Sequence, residues 1–314
     1  MNDNTPAKTI AGVNTESSSA FRSGFITIIG RANVGKSTLT NALVGEKIAI
    51  VSDKPQTTRN RILGVLNVPG GQMVFLDTPG LTHPRGKLGA YMQAQAFDAL
   101  DGADALLIVA AAGQIGPQDR DIISRMGKRK LPKILAINKA DAASRETLAR
   151  DLASLDVSSY DDVIPISALR GDNLEPLKAM LFARMPEGPK YFPDDMITDQ
   201  PERIMCAEII REKALQNLRE EVPHGVGVEM QRIEAVSDAL TEIHATVYVE
   251  RSAHKSIVIG KRGSMLGKIG TAARMDIERL LGVHVALKLW VKVREDWRNR
   301  ADDLRTLGYI REKG

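Results

Sequence analysis

The chain has 314 residues, 43% hydrophobic and 26% charged, the make-up of an ordinary globular protein, and its length suggests two domains. A net charge of +4 is too small to argue nucleic-acid affinity from the total, so such a surface must come from where the charge is placed. The single cysteine, Cys206, excludes an internal disulfide and suits a reducing compartment; between Met205 and Ala207, with no activating partner, it reads as a buried thiol.

Residues 1–20 are polar and serine-rich and lack the apolar core of a signal peptide, so they read as a disordered tail. No window approaches the ~18 apolar residues of a spanning helix, which places the chain in the cytoplasm. Residues 25–29 are apolar and β-branched, a buried strand. The next eight, GRANVGKS, fit G-x-x-x-x-G-K-[ST], and residues 38–44 can continue as a helix. Strand, glycine loop and helix start form a phosphate cradle, because N–H groups at the helix N-terminus face the anion and the dipole favours its charge. Its members are Gly30, Arg31, Ala32, Asn33, Val34, Gly35, Lys36, Ser37 and Thr38. Gly30 and Gly35 allow backbone shapes that a β-carbon blocks, Lys36 can reach the β- and γ-phosphates, and the Ser37 hydroxyl can hold Mg²⁺.

A polar run over residues 53–60 is followed by a strand at 61–68, a turn at 69–71 and a strand at 72–77. The last ends in Asp77-Thr78-Pro79-Gly80, placing a carboxylate for a nucleotide-bound Mg²⁺ at a strand end, and a glycine where backbone can approach the γ-phosphate. Residues 81–90 read as a mobile loop, followed by a helix at 91–100, a strand at 104–110, a helix at 118–128 and a strand at 133–138. That strand runs into Asn138-Lys139-Ala140-Asp141; a helix at 144–155, a strand at 163–166 and the loop Ser167-Ala168-Leu169 follow. Strands alternating with helices imply an α/β domain, a mostly parallel sheet with helices on both faces. Every motif falls at the C-terminal edge of a strand, where such sheets bind ligands. A carboxylate at Asp141 can accept from guanine N1–H and its exocyclic amine, a donor pair that adenine lacks. Asn138 can tie this loop to the phosphate loop, and the Lys139 stem can cover the base.

Prolines 186, 189, 193 and 201 mark residues 185–201 as a linker between a first domain, 21–184, and a second, 202–314, which includes a C-terminal tail. The second reads as a helix over 203–219 with Ile204, Ala207, Ile210, Ala214 and Leu218 on one stripe, two strands, a helix, a loop, a helix to about 281 and an alternating strand. The loop Gly260-Lys261-Arg262-Gly263 fits the G-x-x-G clamp of an α+β KH domain of type II, where glycines let an RNA backbone come close and the next helix offers N–H donors. Between residues 251 and 294 stand ten Lys/Arg against Asp276 and Glu278, a local net of +8. Ile259, Gly260, Lys261, Arg262, Gly263, Lys268, Arg274, Lys288 and Lys292 are the candidate RNA contacts, while His254, His284 and Trp290 read as structural.

Residues 24–182 resemble a translation-factor-type GTPase domain, with G-R-A-N-V-G-K-S, a T-T-R switch, D-T-P-G, N-K-A-D and S-A-L in order. Asn33, the run Pro55-Gln56-Thr57-Thr58-Arg59 and Leu81 make it similar to the TrmE-Era-EngA group, and the appended KH domain to that group's ribosome-assembly members. The resemblance, from residue 21 to about 298, implies GTP/GDP as ligand, Mg²⁺ held by Ser37, Thr58 and Asp77, and a catalytic set of Lys36, Asn33, Thr58 and Gly80. The base loops would be Asn138, Lys139, Asp141, Ser167, Ala168 and Leu169, with Asp77, Thr78, Pro79 and Gly80 at the γ-phosphate. Leu81 stands where other GTPases carry a water-orienting glutamine, so intrinsic hydrolysis should be slow, and Asn33 would admit K⁺ as a charge-neutralising cation. It further implies a monomer that binds the 3′ end of 16S rRNA, acts in assembly of the small (30S) ribosomal subunit and touches the cytoplasmic face of the inner membrane, for which the sequence shows no anchor. GTP would order residues 53–60 and 77–90, and the linker would pass that state to the KH domain. The competing readings are a GTP-dependent membrane or cell-division scaffold whose KH-like domain grips protein, and an ATPase or kinase, which Asn138 and Asp141 oppose.

Overall fold

The structure, a computed structural model, describes residues 20–81, 84 and 86–309. The proposed N-terminal tail falls almost wholly outside the described residues. The first unit runs β1 (Arg22–Ile29), α1 (Lys36–Val44), β2 (Ile62–Val68), β3 (Gly71–Asp77), α2 (Gly86–Asp101), β4 (Ala105–Ala111), α3 (Pro117–Gly127), β5 (Lys133–Asn138), α4 (Arg145–Ala153), β6 (Asp162–Pro165) and α5 (Leu174–Phe182). The sheet order is β2-β3-β1-β4-β5-β6, parallel except for β2, which pairs antiparallel to β3 across the Pro69-Gly70 turn. β3, β4 and β5 are buried along their whole length, which is why they are apolar runs rather than alternating ones. On one face Leu39, Leu43, Leu177 and Leu181 pack on Ile26, Ile28, Phe75 and Leu107; on the other Ala96, Leu100, Ile122 and Met126 pack on Ile29, Leu106, Ile108 and Leu135. Each such leucine or isoleucine contributes about 1.5–3 kcal/mol of transfer free energy.

Two segments differ from the sequence reading. Residues 86–90 belong to α2, not to a loop: Leu88 and Met92 bury against Trp297, Leu304 and Leu307, and the Asn299 carboxamide oxygen accepts from the Lys87 N–H at 3.2 Å. Long-range packing thus overrides a glycine-rich local sequence. Helix α5 has no counterpart in the pattern reading; Pro176 sits in its first turn, where no intrahelical N–H bond is lost.

The second unit runs α6 (Glu202–Asn217), β7 (Gly227–Ser237), β8 (Leu240–Val249), α7 (Ser252–Ile259), α8 (Ser264–Leu281), β9 (His284–Val293) and α9 (Ala301–Thr306). The sheet order is β7-β8-β9, with β7 antiparallel and β9 parallel to β8. Ile210, Ala214, Val258, Ile269, Ala273 and Ile277 from the three helices cover Ile243, Ala245, Val247, Val285 and Val291. Helix α6 is not buried along a single stripe. Cys206, Ile209, Ile210, Arg211, Glu212, Ala214 and Leu215 are all buried, because the helix lies between the two units. Burial, with Glu202 adding to it, pushes the Cys206 thiol up to about 12. Iodoacetamide at pH 8 should therefore leave Cys206 intact in the folded protein and alkylate it in urea; ready modification of the native chain would contradict this burial.

The proline-rich segment is not a free spacer. Its Pro186 carbonyl accepts from Ser23 N–H and the Gly188 N–H donates to Phe21, while Gln72 bonds the backbone of Tyr191 and Phe192. Thr198 bridges antiparallel to Gly64, and Val65 N–H donates to the Ile197 carbonyl at 2.8 Å, so the segment lies along the outer edge of β2. Among the described residues, no helix is long and apolar enough to cross a membrane.

Candidate nucleotide site and nucleic-acid groove

The phosphate loop leaves β1 and enters α1 through residues that tolerate its shape. Gly35 sits at φ 94°, and a β-carbon on Gly30 would stand 2.3 Å from the Val109 carbonyl oxygen. Gly80 is fixed for the same reason: its β-carbon would lie 2.7 Å from the Ala32 backbone nitrogen, so D-T-P-G comes against the phosphate loop only with glycine there. Lys36, buried, donates to the Gly30 and Arg31 carbonyls at 3.2 and 2.9 Å. Arg31 is turned away, onto Asp119 and the Gln114 carbonyl.

Asp77 ends β3 fully buried, and among the described residues neither carboxylate oxygen has a hydrogen-bond partner. Beside the same cleft the Ser37 and Thr58 hydroxyls lie 2.7 Å apart and share a hydrogen bond. An unsatisfied buried carboxylate with two convergent hydroxyls is a hard oxygen donor set, which fits Mg²⁺. Burial pushes the Asp77 carboxyl up to about 6, with Lys36 pulling the other way, and burial brings Lys36 down to about 8 against the pull of Asp77. The cost of charging Asp77 grows above its unfolded value of 3.8 and is complete above about pH 6, that of charging Lys36 grows below 10.5 and is complete below about pH 8, so both costs are present in full only between pH 6 and 8. Phosphate beside Lys36 and a divalent cation beside Asp77 would offset them.

The base end is built by Asn138. Its amide donates to the Val34 carbonyl at 2.9 Å and its oxygen accepts from Ala168 N–H at 2.9 Å, joining the phosphate loop, β5 and the loop after β6. Lys139, at φ 61°, donates to the Asn33 carbonyl at 2.7 Å. Asp141 is paired at 3.7 Å with the largely exposed Arg170 guanidinium, which a ligand can displace. Ser167 is buried, with its hydroxyl accepting from Arg170 N–H, and Leu169 is 81% exposed. The Asn33 amide donates to the Asp53 carbonyl at 2.7 Å, linking the phosphate loop to the 53–60 segment. Leu81 is buried with Ile29, Ala96 and Ile108, so its side chain belongs to the core; the Thr78 hydroxyl is likewise spent on the Ile28 carbonyl.

In the second unit, Gly260, Arg262 and Gly263 all have positive φ, and the loop lifts Lys261 and Arg262 into solvent ahead of α8. Beyond it a groove runs between α8 and the edge strand β9, lined by Leu266, Gly267, Gly270, Thr271, Arg274 and Leu289. Ile259 packs partly buried against the core, and Lys268 is exposed on α8. Lys288 and Lys292 stand apart from this groove. They alternate with Leu287 and Leu289 along β9 and so occupy the opposite face, where Lys288 pairs with Glu242 at 2.6 Å. Trp290 shares that face, 42% exposed and edge-on to His244.

The sequence reading missed how the 53–60 segment is held. The Arg59 side chain, 1% exposed, enters the second unit, and the nearby Arg211 of α6 is fully buried. Arg59 closes the T-T-R run, but nothing in that run says its side chain crosses to the other unit, and Arg211 carries no motif; the trace in the sequence is that α6 has apolar residues on more than one side.

A family model described as a 50S ribosome-binding GTPase matches residues 25–139, and a KH-domain model matches residues 221–298. The chain is 50% identical over 294 residues to GTPase Era of Alkaliphilus metalliredigens, spanning 92% of this chain and 99% of that one. It is 48% identical over 298 residues to GTPase Era of Leuconostoc citreum, spanning 94% and 98%. Among solved structures it matches Era in complex with MgGDPNP and nucleotides 1506–1542 of 16S ribosomal RNA, with TM-score 0.88, 40% identity and coverage of 93% of this chain and 100% of that chain. A variant of Aquifex aeolicus Era bound to GDP and AlF₄⁻ matches with the same values.

Proposed function

Because this chain belongs to the family of GTPase Era proteins and GTP hydrolysis is its activity, we propose that it is a GTP-operated switch that grips the 3′ end of 16S rRNA during assembly of the small ribosomal subunit. The carrying observation is the G-x-x-G loop, which presents Lys261 and Arg262 beside an open groove on the unit that follows the GTPase domain. The solved Era complex with 16S nucleotides, 40% identical to this chain, supports the choice of RNA. We place the protein in the cytoplasm, in keeping with one buried, unpaired cysteine.

Ser37, Thr58 and Asp77 would hold Mg²⁺, whose charge offsets that of the β- and γ-phosphates. Lys36 neutralises the same oxygens from the other side, and the Gly80 N–H stands where backbone meets the γ-phosphate. Asp141 accepts from guanine, and Asn138 keeps the base loops in register with the phosphate loop. With Leu81 in the core, no side chain at that position orients the attacking water, so hydrolysis is slow and depends on charge stabilisation. Asn33, joined to the Asp53 carbonyl, is where K⁺ would add to it.

The test is titration of the labelled 16S 3′ segment into the full chain carrying a GTP analogue or GDP. The RNA should bind more tightly in one nucleotide state, and Lys261→Asp with Arg262→Asp should weaken it more than tenfold. No specific RNA binding by the unaltered protein would overturn the reading and favour a protein-gripping scaffold.

A further inference from the structure

Besides the Asn33 bond to Asp53, three anchors from the KH unit hold the segment between Val51 and Arg59. At its start, Glu212 of α6, buried, accepts from Val51 N–H at 2.8 Å, and Gln216 donates to the Val51 carbonyl at 3.1 Å. Lys47 and Lys213 flank that carboxylate and Asp276, closing a four-charge cluster across the two units. At its end, Arg211 of α6 donates to the Thr57 carbonyl. Arg59 then leaves the GTPase unit altogether. Its guanidinium donates to the Val226 carbonyl and the Tyr309 hydroxyl, each at 2.9 Å, and lies 5.4 Å from the ring centroids of both Trp297 and Tyr309. The residue between the last two anchors is Thr58, whose hydroxyl meets Ser37 at the cation site.

This grip leaves buried charge incompletely satisfied. Two guanidiniums are buried near each other, with Glu208 the acid bound to Arg211, and among the described residues Arg59 Nε and Arg211 Nη1 find no hydrogen-bond partner. Incompletely satisfied buried charge is costly, so the contact is released more readily than a fully satisfied one and gains from anything else that holds the segment in place. A cation shared by Ser37, Thr58 and Asp77 is such a tie. GDP would keep the phosphate-loop and base contacts but not the demand on Thr58.

We propose that the RNA-binding unit completes the GTPase site by positioning Thr58, with Arg59 as the positioning residue seated between Trp297 and Tyr309. Closure of the cation site and seating of the KH unit on the GTPase domain are then one event. The coupling passes through direct contact of the 51–59 segment with α6 and the C-terminal residues, rather than through the proline-rich segment. This rests on the nucleotide-site reading above and needs nothing about which RNA is bound.

The experiment uses the full chain and the variants Arg59→Ala, Arg59→Lys and Tyr309→Phe, each also in a Trp290→Phe background that leaves Trp297 as the one tryptophan. Arg59→Ala should lower kcat at least tenfold and raise the Mg²⁺ concentration for half-maximal hydrolysis, with GDP affinity within twofold. Trp297 fluorescence, shielded from acrylamide with a GTP analogue and Mg²⁺, should become quenchable. Arg59→Lys, which keeps charge but not the fork, should not restore kcat. Tyr309→Phe removes one hydroxyl from the far side of the contact without a cavity, and should move kcat and Mg²⁺ dependence the same way, about threefold. Unchanged kcat and Mg²⁺ dependence in both Arg59→Ala and Tyr309→Phe, or a Trp297 equally shielded in Arg59→Ala, would overturn the proposal. None of these readouts contains RNA, so failure of the RNA reading would show separately.

Discussion

Replacing Asp141 by asparagine should weaken GTP binding about a thousandfold and let xanthosine triphosphate bind in its place. The carboxylate offers two acceptors to the N1–H and exocyclic amine of guanine, and hydrogen bonds to a charged group contribute about 1.5–3 kcal/mol each. Asparagine keeps one acceptor but turns a donor toward the amine. Xanthine carries a carbonyl where guanine carries that amine, so the new donor is matched again. The loop itself should not move, because Ala140 N–H is held by the Ile166 carbonyl at 3.0 Å and Asn138 anchors the neighbouring strand end. Titration calorimetry with both nucleotides reads the exchange; undiminished GTP affinity in the variant would show that Asp141 does not read the base.

Lys36→Ala should lower kcat/KM for GTP at least about a thousandfold, since a single preorganised donor at a developing charge is worth 10²–10³ and this one also carries a full charge in a buried site. A second consequence follows from Asp77. Lys36 is what restrains the burial-driven rise of the Asp77 carboxyl, already up to about 6. Without the ammonium, Asp77 keeps its proton nearer neutrality and becomes a poorer cation ligand, so the loss should deepen as pH is lowered from 8 to 6. Single-turnover hydrolysis across that range is the check, and a rate within tenfold of the parent would contradict the assignment.

The nucleotide site was legible because its chemistry forces residues into contiguous strings. A phosphate needs backbone N–H groups in sequence, which makes Gly30 to Ser37 one motif, and Asn138 must reach Val34 and Ala168 from a fixed strand end. The alternation of elements was legible for a similar reason, since a parallel strand buried on both faces must be an apolar run. What could not be read was decided between distant residues. Helix α2 starts at Gly86 because Asn299 caps it and Trp297 covers Leu88, partners more than 200 residues away in the chain. Arg211 looks like an ordinary solvated arginine, and Arg59 like no more than the end of the T-T-R run, until the two units meet over them. The placement of Lys288 and Lys292 was within reach, because strict alternation with Leu287 and Leu289 sets them on the face away from the groove, and local positive charge is a weaker guide than strand parity.

The proline-rich segment bears on how the chain folds as it is made. Residues 186–198 supply hydrogen bonds to Phe21, Ser23, Gln72 and Val65, so the first domain is finished by chain that follows its last helix. During synthesis, β2 leaves the ribosome as an edge strand and stays open to pairing with other chains until more than a hundred further residues have followed it. Prolines 186, 189 and 193 suit that late guard, for they stiffen a strand-like ribbon that cannot itself nucleate a sheet with a neighbouring chain. A fragment cut at Arg184 would bare that edge for good, whereas one cut after Gln200 would keep it covered. The natural seam of this protein therefore lies just before α6, 19 residues beyond the last helix of the α/β pattern.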